Sequence, residues 1–116
     1  MNQNDPPTEH ILACLSSSPS NAKIVRTAAT MAKAFGGTFT ALYVRTPDSD
    51  QMGKEDCRRL QQHIRMAEQA GADISTIYGD DIPQQIAEFA RISGITKIVL
   101  GRSSVHRRHF WEWTRH

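Results

Sequence analysis

Several features are scarce in this 116-residue chain, and each scarcity excludes a class of protein. The two cysteines, Cys14 and Cys57, are too few and too far apart for a disulfide-rich secreted scaffold. No apolar run approaches the ~20 residues that a membrane-spanning helix needs. Residues 1–9 are polar, unlike the apolar segment of a secretory signal. We therefore expect a cytoplasmic domain that has no membrane segment of its own.

Signatures of common catalytic and metal sites are also missing from the sequence. There is neither the GxxxxGK[ST] loop of nucleotide hydrolases nor the GxGxxG loop of dinucleotide-binding enzymes. Histidine and cysteine occur nowhere at the spacing of a zinc site. We therefore predict no catalytic residue and no metal ligand in this chain.

Charge is nearly balanced over the whole chain but unevenly distributed along it. Lys and Arg number 14 and Asp and Glu 12, so the net charge of +2 excludes a broadly basic nucleic-acid binder. Residues 102–116 contain four Arg, one Glu and both tryptophans. We expect a disordered segment over residues 1–9, an α/β domain over residues 10–101 and a basic aromatic tail over residues 102–116.

Hydrophobic patterning predicts strands and helices in alternation. Short apolar or β-branched runs predict strands over residues 11–15, 38–44, 72–78 and 95–100, the third of them polar enough for an edge. Apolar residues at helical spacing predict helices over residues 19–35, 54–70 and 82–93. The order βαβαβαβ implies an open, Rossmann-like parallel sheet with helices on both faces.

The predicted helix ends have recognisable capping residues. Ser18 followed by Pro19 has the pattern of an N-cap and a first helical residue, and Asp81 is expected to cap the third helix. Gly36 and Gly94 are expected to end the first and third helices, because glycine accepts the left-handed conformation there.

The faces of two helices can also be predicted from residue spacing. In the first helix the apolar stripe extends to Phe35. In the second, Leu60, Ile64 and Ala67 share an apolar face, whereas Arg59 belongs to a charged face that we expect to be solvated.

The best chemical lead is the run of serines after the first predicted strand. Ligands of open α/β sheets bind at the carboxyl ends of the strands, where the strand order reverses. Hydroxyl and backbone N–H groups before a helix suit an anion. The alternative is that Ser18 only caps the helix and that its neighbours are solvated turn residues. Arg102 and Ser103, after the fourth strand, would face this run if the first and fourth strands are neighbours.

Four segments of the chain together resemble the universal stress protein family. Within that family, they are most similar to the domain found in the Kdp potassium-sensing histidine kinases. The segments that carry the resemblance are residues 11–19, 39–44, 79–81 and 96–102, with the sequences ILACLSSSP, FTALYV, GDD and TKIVLGR.

The resemblance implies a sensory, non-catalytic domain of a two-component kinase that controls potassium uptake and is anchored in the inner membrane. Some domains of this kind bind cyclic di-AMP through the pattern Ser-x-Ser, twenty residues, Phe-Thr-Ala-x-Tyr. This chain matches that pattern from Ser16 through Tyr43. The implied ligand is cyclic di-AMP, ATP or AMP. The expected ligand-binding residues are Ser16, Ser18, Phe39, Thr40, Tyr43, Val44, Gly101, Arg102 and Ser103.

Two departures from the family pattern shape these expectations. The ATP-binding branch has an aspartate where Ser16 stands, and it has further glycines after the position of Gly101, so ATP binding in the usual family manner is not expected. The family fold has five strands, and we expect this chain to lack the last one. The fourth strand would then be an edge, which either the tail covers through Phe110, Trp111 and Trp113 or a second chain covers in a homodimer.

Two other functions remain open at this stage. The domain could instead be a protein-interaction module of the same kinase, with no small-molecule ligand and with Arg107 and Trp111 of the tail at the contact. A flavodoxin-type flavin carrier would use the serine run as a phosphate loop, but no aromatic residue directly follows the later strands to enclose a flavin.

Overall fold

The computed structural model describes residues 9–101. The predicted tail and all but the last residue of the predicted N-terminal segment lie outside this range. The strands are β1 (His10–Cys14), β2 (Thr38–Arg45), β3 (Asp73–Tyr78) and β4 (Lys97–Val99). The helices are α1 (Asn21–Phe35), α2 (Lys54–Gln69) and α3 (Ile82–Ser93), with one short 3-10 turn at Ser49–Gln51.

The four strands form one parallel sheet in the order β3-β2-β1-β4. From β1 the chain moves outward to β2 and β3 on one side and then crosses back to β4 on the other. The strand order therefore reverses between β1 and β4, where open sheets place their ligands. The predicted parallel sheet is confirmed, and β3 lies at an edge as expected.

Alternate residues of the central strands pack against helices on opposite faces of the sheet. Ile11 and Ala13 of β1 belong to a buried cluster with α1 and α2, whereas Leu12 between them belongs to a cluster with α3. This alternation follows from the two-residue period of a strand. The expected placement of helices on both faces is confirmed.

Glu9 joins the amino-terminal ends of two strands. Its backbone carbonyl accepts from Thr38 N at 2.9 Å, and its carboxylate accepts from Thr96 Oγ1 at 2.6 Å. A Cβ on Gly37 would collide with the same Glu9 carbonyl, so a glycine is needed at that position. Glu9, the last residue of the segment that was expected to be disordered, is therefore bonded to the sheet.

Helix ends agree with the predicted capping residues at three positions and differ at one. Gly36 and Gly94 end their helices with φ of 63° and 69°, and the Asp81 side chain accepts from Gln84 N. The prediction that Ser18 caps α1 is wrong, because α1 begins only at Asn21. The Ser18 carbonyl instead accepts from Asn21 N at 2.9 Å, which inserts a turn before the helix.

One predicted apolar position is not buried. Phe35, expected on the inner stripe of α1, is 51% exposed. Its ring centroid lies 5.2 Å from the Lys97 Nζ atom, which sits over the face of the ring. The buried stripe of α1 ends one turn earlier, at Ala32. Within residues 9–101, no helix combines the length and the apolar character needed to cross a bilayer.

Candidate functional site

The serine loop, defined here as residues 16–20, follows β1 at the carboxyl edge of the sheet. Leu15 N still donates to Leu42 O at 2.8 Å, so pairing with β2 continues up to the start of the loop. Ser18 N then donates to the Ser16 hydroxyl at 3.2 Å, and the hydroxyls of Ser18 and Ser20 lie 3.0 Å apart. Ser16 is half-buried and Ser18 is exposed. The loop therefore presents hydroxyl groups to the solvent.

The chain leaving β4 runs beside this loop. Ala13 of β1 is paired with Val99 of β4, so Gly101 lies level with Leu15 in the neighbouring strand position. Neighbouring strands are about 4.8 Å apart. The expectation that the first and fourth strands are neighbours is confirmed. Arg102 and Ser103, the next two predicted site residues, lie outside the described residues.

Two predicted site residues of β2 also reach the carboxyl edge. Cys14 is paired with Leu42, so Tyr43 and Val44 lie level with the start of the serine loop. Their side chains point to opposite faces of the sheet. Tyr43 is half-buried against the α1 and α2 cluster, whereas Val44 is 7% exposed within the α3 cluster.

The remaining two predicted site residues lie near the other end of β2. Phe39 is paired with Ile11 and Thr40 with Leu12, close to the amino-terminal start of the sheet. At about 3.3 Å per residue, Phe39 is roughly 13 Å along the strand from Tyr43. Phe39 is 6% exposed and belongs to the core. The fold thus gathers Ser16, Ser18, Tyr43, Val44 and Gly101 at one edge and leaves Phe39 and Thr40 apart.

Asn21, the first residue of α1, anchors the serine loop from one side. Its Nδ2 donates to Cys14 O at 2.9 Å, and its Oδ1 accepts from Ser16 N at 3.1 Å. The side chain is 3% exposed, and a buried amide is stable only when it is bonded in this way. Sequence reasoning missed Asn21, although a short polar side chain at a helix start often bonds to nearby backbone.

Two residues of α2 bind the loop from the other side. His63 Nδ1 lies 2.8 Å from Ser16 O, and Arg59 Nη1 donates to Ser17 O at 3.0 Å. The prediction that Arg59 belongs to a solvated face is therefore wrong. Arg59 and His63 are four residues apart, so they share one side of the helix next to its apolar stripe. That spacing was the signal in the sequence that could have revealed them.

Other ionisable groups near the loop have local structural roles. Cys14 is half-buried, and desolvation raises the pKa of its thiol to about 12, so it remains neutral near pH 7. The carboxylate of Asp81 caps α3. Among residues 9–101, no three His, Cys, Asp or Glu side chains gather into a metal site. The chemistry that the loop itself offers is hydrogen-bond donation to an anion.

Comparison with known sequences identifies related proteins. The sequence profile of the "Universal stress protein family" matches residues 7–111. The chain is 39% identical over 101 residues to "Sensor protein KdpD" of Clostridium acetobutylicum and 30% identical over 97 residues to "Sensor protein KdpD" of Escherichia coli. These alignments cover 87% and 84% of this chain, which spans about 11% of the length of each relative.

Solved structures with the same architecture are more distant in sequence. A universal stress protein in complex with cAMP matches with a TM-score of 0.66 at 18% identity, covering 95% of this chain and 90% of that one. The universal stress protein of Archaeoglobus fulgidus in complex with dAMP matches with a TM-score of 0.56 at 19% identity, covering 94% and 90%. At these identities the likeness shows the fold alone.

Proposed function

Because the chain belongs to the universal stress protein family, we propose that it is a nucleotide-sensing regulatory domain. Its similarity to two KdpD sensor proteins supports a place in a two-component sensor histidine kinase that controls potassium uptake. In this proposal the domain is cytoplasmic and its parent kinase is anchored in the inner membrane. The domain catalyses no reaction itself and acts on the other domains of the kinase, alone or as a homodimer.

The observation that carries the proposal is the position of the serine loop. It lies at the carboxyl end of β1 beside the residues that leave β4, where the strand order reverses. Two universal stress proteins of the same fold were solved with cAMP and with dAMP, both adenine nucleotides with a phosphate group. Serine hydroxyls and loop N–H groups are suitable donors for phosphate oxygens.

We propose cyclic di-AMP, or else AMP or ATP, as the ligand class. Ser16 and Ser18 would donate to a phosphate, and the Tyr43 side chain would line the base pocket. Val44, whose side chain points to the opposite face of the sheet, would contribute only its backbone. Gly101 would let the ligand approach β4 closely, and Arg102 and Ser103 would supply further phosphate contacts. Phe39 and Thr40, which complete the Ser-x-Ser and Phe-Thr-Ala-x-Tyr pattern, would support β2 from within the sheet.

Isothermal titration of the chain with cyclic di-AMP, AMP and ATP tests this proposal. We expect one of these nucleotides to bind, and Ser16→Ala and Tyr43→Ala to weaken that binding about tenfold, as expected for a lost bond to a charged group or a lost ring contact. Ser93→Ala and Phe35→Ala are controls at exposed positions in the last turns of α3 and α1, and they should bind as the wild type does. Absence of heat with all three nucleotides would remove the sensing function.

A second candidate function is a protein-interaction module of the same kinase. It is favoured by two features of the described residues: every residue of β4 is only half-buried, and Ile92 of α3 is 70% exposed. This function predicts that the chain captures the remaining domains of a KdpD kinase. Capture should then be lost in Trp111→Ala and Arg107→Ala but retained in Ser16→Ala, whereas nucleotide sensing predicts no such pattern.

A further inference from the structure

We infer that His63 and Arg59 of α2 are positioning residues that set the serine loop in its ligand-receiving conformation. This inference rests on the function proposed above and deepens it, because neither residue needs to contact the ligand. The hydrogen bonds from His63 to Ser16 O and from Arg59 to Ser17 O each join positions more than 40 residues apart, so they connect the loop to a separate helix.

The bond from His63 has only one chemically allowed direction. Ser16 O is a carbonyl and can only accept, so His63 Nδ1, 2.8 Å away, must carry the proton. The imidazole therefore either is the Nδ1–H tautomer or is protonated on both nitrogens. The side chain is 4% exposed, so water cannot easily replace this bond if it is lost.

Arg59 binds the next carbonyl of the loop in the same way. Its Nη1 donates to Ser17 O at 3.0 Å and also lies 3.1 Å from Asp56 Oδ1, one turn earlier on α2. The carboxylate orients the guanidinium toward the loop, and the side chain is only 32% exposed. Two successive loop carbonyls are thus drawn toward α2 by two donors one helical turn apart.

The geometry of the peptide group then fixes where the loop's donors point. In a planar trans peptide the N–H lies opposite the preceding carbonyl, and residues 9–101 contain no cis peptide. With the carbonyls of Ser16 and Ser17 turned to α2, the N–H groups of Ser17 and Ser18 are turned away from it. Ser18 N correspondingly meets the Ser16 hydroxyl at 3.2 Å. Asn21 holds the two preceding peptide groups from α1, one through Cys14 O and the other through Ser16 N.

This orientation matters for an anionic ligand. A carbonyl oxygen turned toward a phosphate would repel it, whereas N–H and hydroxyl groups attract it. By engaging the carbonyls on the α2 side, His63 and Arg59 leave the donors on the other side of the loop. Removing either contact allows the peptides to rotate, so affinity falls although no ligand contact has been deleted.

A pair of variants at His63 tests the positioning role. His63→Asn keeps a side-chain N–H donor close to the position of Nδ1, whereas His63→Leu has a similar size and no donor. In titrations with cyclic di-AMP, AMP and ATP, we expect His63→Leu to weaken binding about tenfold and His63→Asn to stay within about threefold of wild type. In the free protein, His63→Leu should also shift the amide resonances of Ser17 and Ser18 and speed their exchange, and His63→Asn should restore them.

Arg59 provides a second test that does not depend on the folding of His63→Leu. Arg59→Gln should weaken nucleotide binding about fivefold and shift the amide resonances of Ser17 and Ser18. Arg58→Gln, at the exposed neighbouring position, should change neither the binding nor these resonances. The inference would be overturned if Arg59→Gln, Arg58→Gln and wild type bound the nucleotides equally and had the same Ser17 and Ser18 amide resonances and exchange rates. A His63→Asn variant as impaired as His63→Leu would also overturn it. If wild type binds none of the nucleotides, the proposed function fails, but the amide shifts still decide whether α2 positions the loop.

Discussion

The two faces of the sheet are built differently. On one face α1 packs over β1 and β2, with α2 beside it over β3, and the two helices enclose a cluster that includes Ile11 and Val25, both fully buried. On the other face, of the helices in residues 9–101, α3 alone packs on the sheet. Its cluster is smaller and is flanked by half-buried residues of β4 such as Ile98. One face is closed, and the other is covered only in part.

The difference separates two tasks of the domain. All three side chains that fix the serine loop come from the closed face: Asn21 from α1, and Arg59 and His63 from α2. A rigid, well-packed pair of helices can define a loop conformation, because densely packed interiors deform little. Within residues 9–101, the partly covered face offers apolar surface and no side-chain bond to the loop. In the function proposed above, the first face would hold the loop for a ligand and the second would be free to contact other domains.

The largest expected effect comes from truncating matched isoleucines on the two faces. Ile11→Ala should lower the free energy of unfolding by about 4 kcal/mol, because Ile11 is fully buried and its removal leaves a cavity. Ile98→Ala should lower it by about 2 kcal/mol, because Ile98 is only half-buried. Urea unfolding followed by circular dichroism measures both.

Equal costs at the two positions would contradict the comparison and would mean that the β4 side is packed as tightly as the closed face. A loss of 4 kcal/mol is a large part of the stability of a small domain. If Ile11→Ala does not fold, Ile11→Val and Ile98→Val give the same comparison at about 1 kcal/mol or less each.

Much of the fold could be predicted because its signals are local. The period of apolar residues identified all seven main elements, and glycines at 36 and 94 identified two helix ends. The fourth strand begins two residues later than predicted. Ile95 N bonds to Ala90 O at the end of α3, and Thr96 N bonds to His10 O of β1, so both precede the regular strand.

The candidate site could be predicted only in part. Ser16 and Ser18 stand out because they follow a strand and precede a helix. Phe39 lies apart from them because the parallel register, which depends on pairing with β1, places it near the opposite end of β2. The spacing of Arg59 and His63 places them on one side of α2, but what they bind was missed because their partners lie 42 and 47 residues away in the chain.

A second expected effect concerns the anchor on the closed face. Asn21→Leu should lower the free energy of unfolding by about 2 kcal/mol, because it leaves Cys14 O and Ser16 N without their partners in a largely buried place. Ser20→Ala, one residue earlier, removes an exposed hydroxyl and should cost under about 0.5 kcal/mol. Thermal unfolding of the two variants measures the difference. Indistinguishable melting temperatures would show that Asn21 is not a structural anchor.

A third expected effect concerns the start of α3 on the partly covered face. Asp81→Ala should lower the free energy of unfolding by about 1 kcal/mol, since the Asp81 carboxylate accepts from Gln84 N at 3.3 Å. Its neighbour Asp80 is exposed and serves as the control, with Asp80→Ala expected within about 0.5 kcal/mol of wild type. Chemical denaturation of both variants decides whether Asp81 acts as a cap or only as a turn residue.

The smallest expected effects come from two ion pairs of the same spacing on the two faces. On α3, Arg91 Nη2 lies 2.7 Å from Glu88 Oε2, but both side chains are more than half exposed. Arg91→Gln should therefore change the free energy of unfolding by under about 0.5 kcal/mol. Arg59 and Asp56 on α2 lie 3.1 Å apart, and Arg59 also binds Ser17 O. Arg59→Gln should therefore cost about 1 kcal/mol, most of it insensitive to salt, because a bond to a neutral carbonyl is screened less than an exposed ion pair. Unfolding at low and high salt measures both variants, and a cost for Arg59→Gln that vanishes in high salt would reduce Arg59 to a second surface pair.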